Sequence, residues 1–182
     1  METEPADFRP DPDEEIYAMR MVRAGFLDVA IEIEADLRVM LVNYFLTESH
    51  KVELFWDCYE SKGTLGPVVD RFKKVLVVER ESLAAGHDFS AQQVDALQHA
   101  LDELVRHRNR FAHDPMSQHF LVKGGSVIQN EWRIGQRDEN GRYFTIESAN
   151  DAYQKALACE DLVMRVRIPL EIAGGIRPPP VE

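Results

Sequence analysis

Apolar residues recur at three- and four-residue intervals over most of the chain, a spacing that predicts helices rather than strands. The first run covers about 13–45 and is clearest in Phe26, Val29, Ile33, Leu37, Met40, Leu41 and Tyr44. It predicts one long amphipathic helix, bent near Gly25. A second run, about 50–60, sets Val52, Phe55, Trp56 and Tyr59 on one face. The segment Gly63-Thr64-Leu65-Gly66-Pro67 then interrupts the pattern. A third helix is expected over 68–78, entered at Pro67 because proline favours the first helical position. After the turn-like Gly86-His87-Asp88, Ser90 with Gln93 three residues later is a capping-box signature. The helix it opens carries Val94, Leu97, Leu101, Leu104, Val105 and Phe111. It should end near His113, because Pro115 disfavours helical geometry at Asp114.

The period changes after Phe120. Ile128, Trp132 and Ile134 alternate with polar residues, and Asn140-Gly141 precedes the short run from Tyr143 to Ile146, which predicts a β-hairpin over about 120–146. Ser148 with Asp151 offers a cap for a last helix through Tyr153, Leu157, Val163 and Val166, ending near Arg167. Pro169, Gly174-Gly175 and Pro178-Pro179-Pro180 should stop it. The expected fold class is mainly α, a helical bundle with a β-hairpin inserted between the last two helices. One domain over 14–168 suits a chain of 182 residues that is 45% hydrophobic. Residues 1–13 read as a mobile acidic tail and 169–182 as an extended or disordered one.

Charge alters the picture by its distribution. The net charge is -11, yet residues 1–60 hold 15 acids and 5 bases, whereas 61–120 hold 8 of each and 121–182 hold 9 acids and 8 bases. The acid excess is therefore N-terminal, and double-stranded DNA is not an expected partner. Against it stand residues 104–113, with three Arg, two His and no acid. Apolar runs are far shorter than the roughly 20 residues of a membrane span, and the acidic start does not read as a signal peptide. The cytoplasm is the expected compartment. Cys58 and Cys159 lie far apart without a CxxC pair, so two reduced, buried thiols are expected rather than a disulfide or zinc framework. Neither a glycine-rich phosphate loop nor a ligand cluster is present, and no metal or cofactor is expected.

At about 100° per residue, Arg108 falls within the sector of Val94, Leu97, Leu101, Leu104 and Phe111. An arginine in an apolar stripe needs a partner carboxylate, a cleft or a subunit interface. Arg106, Arg110 and His113 share a different face. Five positions separate Arg108 from His113, a divergence of about 140° on a continuous helix. Either the helix unwinds before His113, or a two-fold dimer pools the segments of two copies.

The hexapeptide Arg108-Asn109-Arg110-Phe111-Ala112-His113 resembles the signature of the HEPN superfamily, an Arg, a polar residue, three further residues and His. The resemblance covers about 14–115 and includes the long first helix and the motif at the end of a long later one; the hairpin lies outside the minimal pattern. It implies a helical bundle, a homodimer with the motifs across its interface and, in many members, metal-independent RNase activity in toxin–antitoxin or antiviral defence systems. By that analogy His113 is the general base on a ribose 2'-hydroxyl and Arg108 stabilises charge on the phosphate. Asn109, Arg106 and Arg110 are then substrate-binding residues, RNA is the substrate, and an antitoxin or other regulatory protein is a partner. Phe26 to Phe45 and the stretch from Gly63 to Phe72 also resemble the mannitol-operon repressor family. That likeness implies a non-catalytic dimer acting through protein contacts.

The plain structural alternative pairs Arg108 with a core carboxylate such as Glu34 or Asp36 and leaves His113 as a helix cap. Arg106 and Arg110 are then a solvated face. An alternative register led by Arg106 puts it on one helical face with His113. Trp56 and Trp132 are expected to pack rather than stack on bases.

Overall fold

The computed structural model describes residues 12–45, 64–86, 89–135, 143–173 and 175. Its helices are α1 (Pro12–Phe45), α2 (Leu65–Val78), α3 (Arg80–Gly86), α4 (Ala91–His113) and α5 (Ile146–Ala173). Strands β1 (Met116–Lys123) and β2 (Ser126–Ile134) form an antiparallel hairpin between α4 and α5. The protein is thus mainly helical with a two-stranded sheet inserted before its last helix, the architecture expected from the period of its apolar residues. The helix expected over 50–60, with Trp56, and residue Cys58 lie outside the described residues.

The core gathers the inner stripe of each long helix. Phe26, Ile33 and Leu37 of α1, Val68 and Phe72 of α2, Leu97, Leu101 and Phe111 of α4, and Val163 and Val166 of α5 are all buried. Truncating any one of the phenylalanines would cost about 3–5 kcal/mol. Helices α1 and α5 make the most extensive helix pair and run in the same direction, since Gly25 faces Tyr153 and Glu32 meets Glu160 seven residues on in each. Small residues permit the close approach. Ala149, Ala152, Ala156 and Cys159 line the buried side of α5, and a Cβ on Gly25 would stand 3.1 Å from the Tyr153 ring. Gly25 therefore serves ring packing within α1.

Several boundaries differ from the expectation, each for a physical reason. Helix α2 starts after Thr64, so Pro67 is its third residue rather than its first. The third N–H of a helix also lacks an intrahelical acceptor, so proline costs nothing there. Helix α3, unforeseen in the sequence, continues from α2 across Glu79, whose N–H reaches the Val75 carbonyl at 2.9 Å. The hairpin turn falls at Gly124-Gly125, with φ of 59° and 83°, and the strands begin at Met116. Consecutive positive φ values suit a tight two-residue turn and favour glycine at both positions. Phe144 adds a bridge to Ile134. Residues 136–142, including Asn140-Gly141, lie outside the described residues.

Helix α5 is entered through Thr145, whose Oγ1 accepts from the Ser148 N–H at 3.3 Å while Ser148 Oγ accepts from the Thr145 N–H at 2.9 Å. It then runs through Pro169 to Ala173 instead of stopping near Arg167. Interior proline costs about 3 kcal/mol. Burial of Leu170 and the Arg167–Glu171 contact at 3.5 Å, one turn across the proline, oppose that cost. The helical unit accordingly begins at Pro12 and includes residues 169–173, which the expected domain limits left in the tail.

Candidate functional site at the end of helix α4

Helix α4 starts with a complete capping box. Ser90 Oγ accepts from the Gln93 N–H at 3.3 Å, and Gln93 Oε1 accepts from the Ser90 N–H at 2.7 Å. The helix stays wound through His113, and the Asp114 N–H closes it on the Arg110 carbonyl at 2.8 Å. Asp114 has extended geometry, as a residue before proline should. Of the two ways of bringing Arg108 and His113 together, local unwinding is therefore not the one this helix adopts. Within one copy the two side chains diverge by about 140°.

Beneath the motif lies an aromatic cluster. Phe111 stacks on Phe26 with ring centres 4.4 Å apart and meets Phe144 edge-on at 4.8 Å, while His107 meets Phe144 at 5.3 Å. This cluster joins α1, α4 and the segment entering α5, and fixes the roll of the motif helix. His107 is held below its ordinary value by burial and then by Arg106, with Glu103 opposing. It lines a cavity of about 160 Å³ with Phe26, Glu103, Lys155 and Cys159.

The three arginines have different fates. Arg106 pairs with Glu103 at 3.0 Å on the exposed side. Arg110 pairs with Asp114 at 3.3 Å and lies 4.4 Å over the Phe144 ring. Arg110 is thus anchored to the base of the hairpin, where Gly135 also donates to the Pro115 carbonyl at 2.9 Å. Among the described residues Arg108 makes no ion pair and no side-chain hydrogen bond. It is partly buried, between the buried Leu104 and Phe111 on the same stripe. The carboxylate pairing considered for it is not made: Glu34 holds Arg38 at 2.6 Å, and Asp36 acts on Glu160, whose pKa burial raises first, followed by its hydrogen bond to Glu32.

Asn109 and His113 are exposed. Among the described residues the arrangement leaves the Arg108 guanidinium uncompensated, with an exposed imidazole and an exposed amide, at one helix end. That combination can neutralise a phosphate and move a proton. Arg23, which the sequence did not single out, also belongs to this end: its Nη2 donates to the Ala112 carbonyl at 3.3 Å. The pairings of Arg106 with Glu103 and Arg110 with Asp114 follow helical spacings of three and four and were readable from them.

Trp132 is half-buried, its backbone N–H donating to Glu15 at 3.3 Å. Cys159 is a buried free thiol whose pKa burial pushes up to about 12. Among the described residues no group of three His, Cys, Asp or Glu side chains is placed to hold a metal ion, and no helix is long and apolar enough to cross a membrane. No family model, curated protein or solved structure matches the chain.

Proposed function

We propose that the protein is a cytoplasmic, homodimeric HEPN-type endoribonuclease that cleaves RNA without a metal, of the kind used in toxin–antitoxin or antiviral defence. The observation that carries this reading is Arg108, partly buried and without an ion pair among the described residues, on a helix that ends at the exposed His113. An unpaired, partly desolvated guanidinium is costly unless a ligand uses it, and phosphate is one of the two anions, with carboxylate, that its planar fork matches bidentately. The resemblance of residues 108–113 to the HEPN signature supports the same assignment.

His113 of one copy takes the proton of a ribose 2'-hydroxyl, and the 2'-oxygen attacks the adjoining phosphorus. The bond from phosphorus to the 5'-oxygen breaks. The second copy's His113, entering protonated, gives that oxygen its proton, so the products are a 2',3'-cyclic phosphate and a 5'-hydroxyl end. Arg108 stabilises the negative charge that builds on the phosphate oxygens. Arg106 is available to a neighbouring phosphate because exposed pairs such as its own with Glu103 are worth under about 1 kcal/mol. Asn109 orients the phosphate or the imidazole.

The test is incubation of the wild type, Arg108→Ala and His113→Ala with mixed structured RNAs in EDTA. Cleavage by the wild type, reduced about 100-fold or more in each variant, is expected. Equal cleavage by all three would remove the site assignment. The exposed Phe120, Val122 and Val127 of the hairpin favour a second reading, a non-catalytic dimer regulating a protein partner as the mannitol-repressor likeness implies. No cleavage by any of the three proteins would turn the balance to it.

A further inference from the structure

The cavity beside His107 owes its existence to alanines. Ala100 of α4 and Ala152, Ala156 and Ala158 of α5 end at Cβ where the two helices face each other, leaving a cleft of about 160 Å³. Its floor is formed by the buried Phe26, Leu104 and Cys159. Its rim is polar, with Glu103 and His107 of α4, Lys155 of α5, and His99 one turn before Glu103.

The polar groups at this rim are weakly held. Glu103 meets Arg106 at 3.0 Å and Lys155 meets Asp151 at 3.0 Å, each a solvent-facing pair within one helix. Such pairs exchange readily for a better partner. Among the described residues neither His99 nor His107 makes a side-chain hydrogen bond. A half-buried imidazole with hydrogen-bonding capacity to spare, between a carboxylate and an ammonium, therefore edges an apolar space.

We propose that this cleft takes one unpaired cytosine base of an RNA strand, with Glu103, His107 and Lys155 reading its hydrogen-bonding edge. Size selects a single ring, since a cavity of about 150 Å³ is filled by one benzene and a purine has two fused rings. Chemistry then selects among single rings. Along its edge cytosine sets an exocyclic amine, a bare ring nitrogen and a carbonyl in a row, the groups by which unpaired bases are read. The Glu103 carboxylate accepts from the amine, His107 donates to the ring nitrogen, and the Lys155 ammonium donates to the carbonyl. Burial and then Arg106 lower the pKa of His107, so it enters as a neutral donor. Uracil has a carbonyl in place of the amine and sets it against Glu103.

Helix geometry relates the cleft to the motif. Glu103, Arg106, Arg110 and His113 succeed one another at steps of three, four and three, within about 80° on α4, and about 15 Å of axis separates the first from the last. Arg106 lies between them, where a linking phosphate passes. The bound base is thus at least one nucleotide away from the cleaved bond, and cuts should fall at a fixed offset from a cytosine. The cleft and its chemistry stand on α4 and α5; that its base belongs to a strand cut at His113 rests on the ribonuclease reading above.

The experiment measures binding and cleavage of single-stranded RNA by the full chain. Binding uses the His113→Ala protein, which leaves the strand whole, and fluorescently labelled oligoadenylates with one central cytosine, one central uracil or neither. Cytosine is expected to raise the affinity about tenfold over the other two. Added to that protein, Glu103→Gln should abolish the preference for cytosine over uracil, because an amide can donate as well as accept. Ala100→Leu and, from an exposed position, Ala158→Phe should fill the cleft and remove the preference, with circular dichroism as the check on folding. Equal affinity for the three strands, or a preference that survives Glu103→Gln and both filling variants, would overturn the proposal. Cytidine monophosphate competing as well as the cytosine strand would put a free nucleotide in place of RNA and overturn it too. Wild-type cleavage at a fixed offset from cytosines supports cleft and ribonuclease together. Cleavage indifferent to cytosine and to Ala100→Leu removes the cleft and retains the ribonuclease reading. Cytosine-dependent binding without cleavage by the wild type does the reverse.

Discussion

The Arg23 guanidinium donates to the Ala112 carbonyl at 3.3 Å, across 89 positions of sequence. It ties the middle of α1 to the last turn of α4 and satisfies one of the carbonyls that a helix leaves without an internal partner. A cation at that end also complements the helix dipole. Replacement of Arg23 by Met keeps the apolar stem and removes the bond, and should cost about 1 kcal/mol of stability, readable as a lower midpoint in urea. If the RNA reading holds, cleavage should fall by more than this loss of fold, because the residue after Ala112 is His113. An unchanged midpoint would mean that the contact contributes nothing in solution.

Gly135 marks the junction between the hairpin and the motif helix. Its φ is 90°, and a Cβ there would stand 2.5 Å from Asp114 Oδ2 and 3.2 Å from Arg110 Nη2. Gly135→Ala should therefore break the Arg110–Asp114 pair as well as strain the backbone, at about 1–3 kcal/mol. Gly124→Ala, also at positive φ but with open space around it, should cost only about 1–2 kcal/mol of conformational strain. Thermal melts of the two variants compare them directly. Equal losses would show that the side-chain collision at Gly135 is relieved without cost.

What the sequence discloses here follows from how far each interaction reaches. The inner stripes of α1, α2, α4 and α5 are local in period, so Phe26, Phe72, Leu101 and Val163 are identifiable from spacing alone. The capping box at Ser90 and the helix end before Pro115 are likewise matters of three or four residues. The expected hairpin is broader than the turn signal at Asn140-Gly141 implies: Ile134 does pair with Phe144 beyond it, but the main ladder joins Met116 to Ile134 around Gly124-Gly125, and that pairing is not local in sequence. Pro169 misled because its local cost is plain, whereas the burial that opposes it belongs to the tertiary structure. For the candidate site, Arg108 and His113 stood out by type and spacing. The stripe position of Arg108 did not reveal that Glu34 is already occupied by Arg38, and nothing local points to Arg23.

Cys159 should be inert while the protein is folded. Burial raises its pKa from an ordinary 9.0 to about 12, which at pH 8 leaves roughly a thousand-fold less thiolate than a free thiol would hold. In a Cys58→Ser background, alkylation by iodoacetamide should be very slow under native conditions and become rapid in denaturant. Fast native labelling would show that the α1–α5 packing opens readily.

Acid should weaken the fold through His107. Burial among Phe26 and Phe144, reinforced by Arg106, lowers its pKa below the ordinary 6.5. The unfolded chain then binds the proton more readily than the folded one between the two values. Stability attributable to His107 is fully present above pH 6.5 and is lost as pH falls from there through the folded value. Glu160 acts with the opposite sign, because its raised pKa favours the protonated form in the fold. Its contribution is present below the ordinary carboxylate range and is lost as pH rises through its folded value. The two are separated by difference: wild type minus His107→Phe cancels Glu160 and every other shared group. The difference in unfolding free energy should shift against the wild type as pH is lowered from 7 to 5, with the aromatic cluster kept by the phenylalanine. A difference independent of pH over that range would show that His107 titrates alike in the folded and unfolded chains.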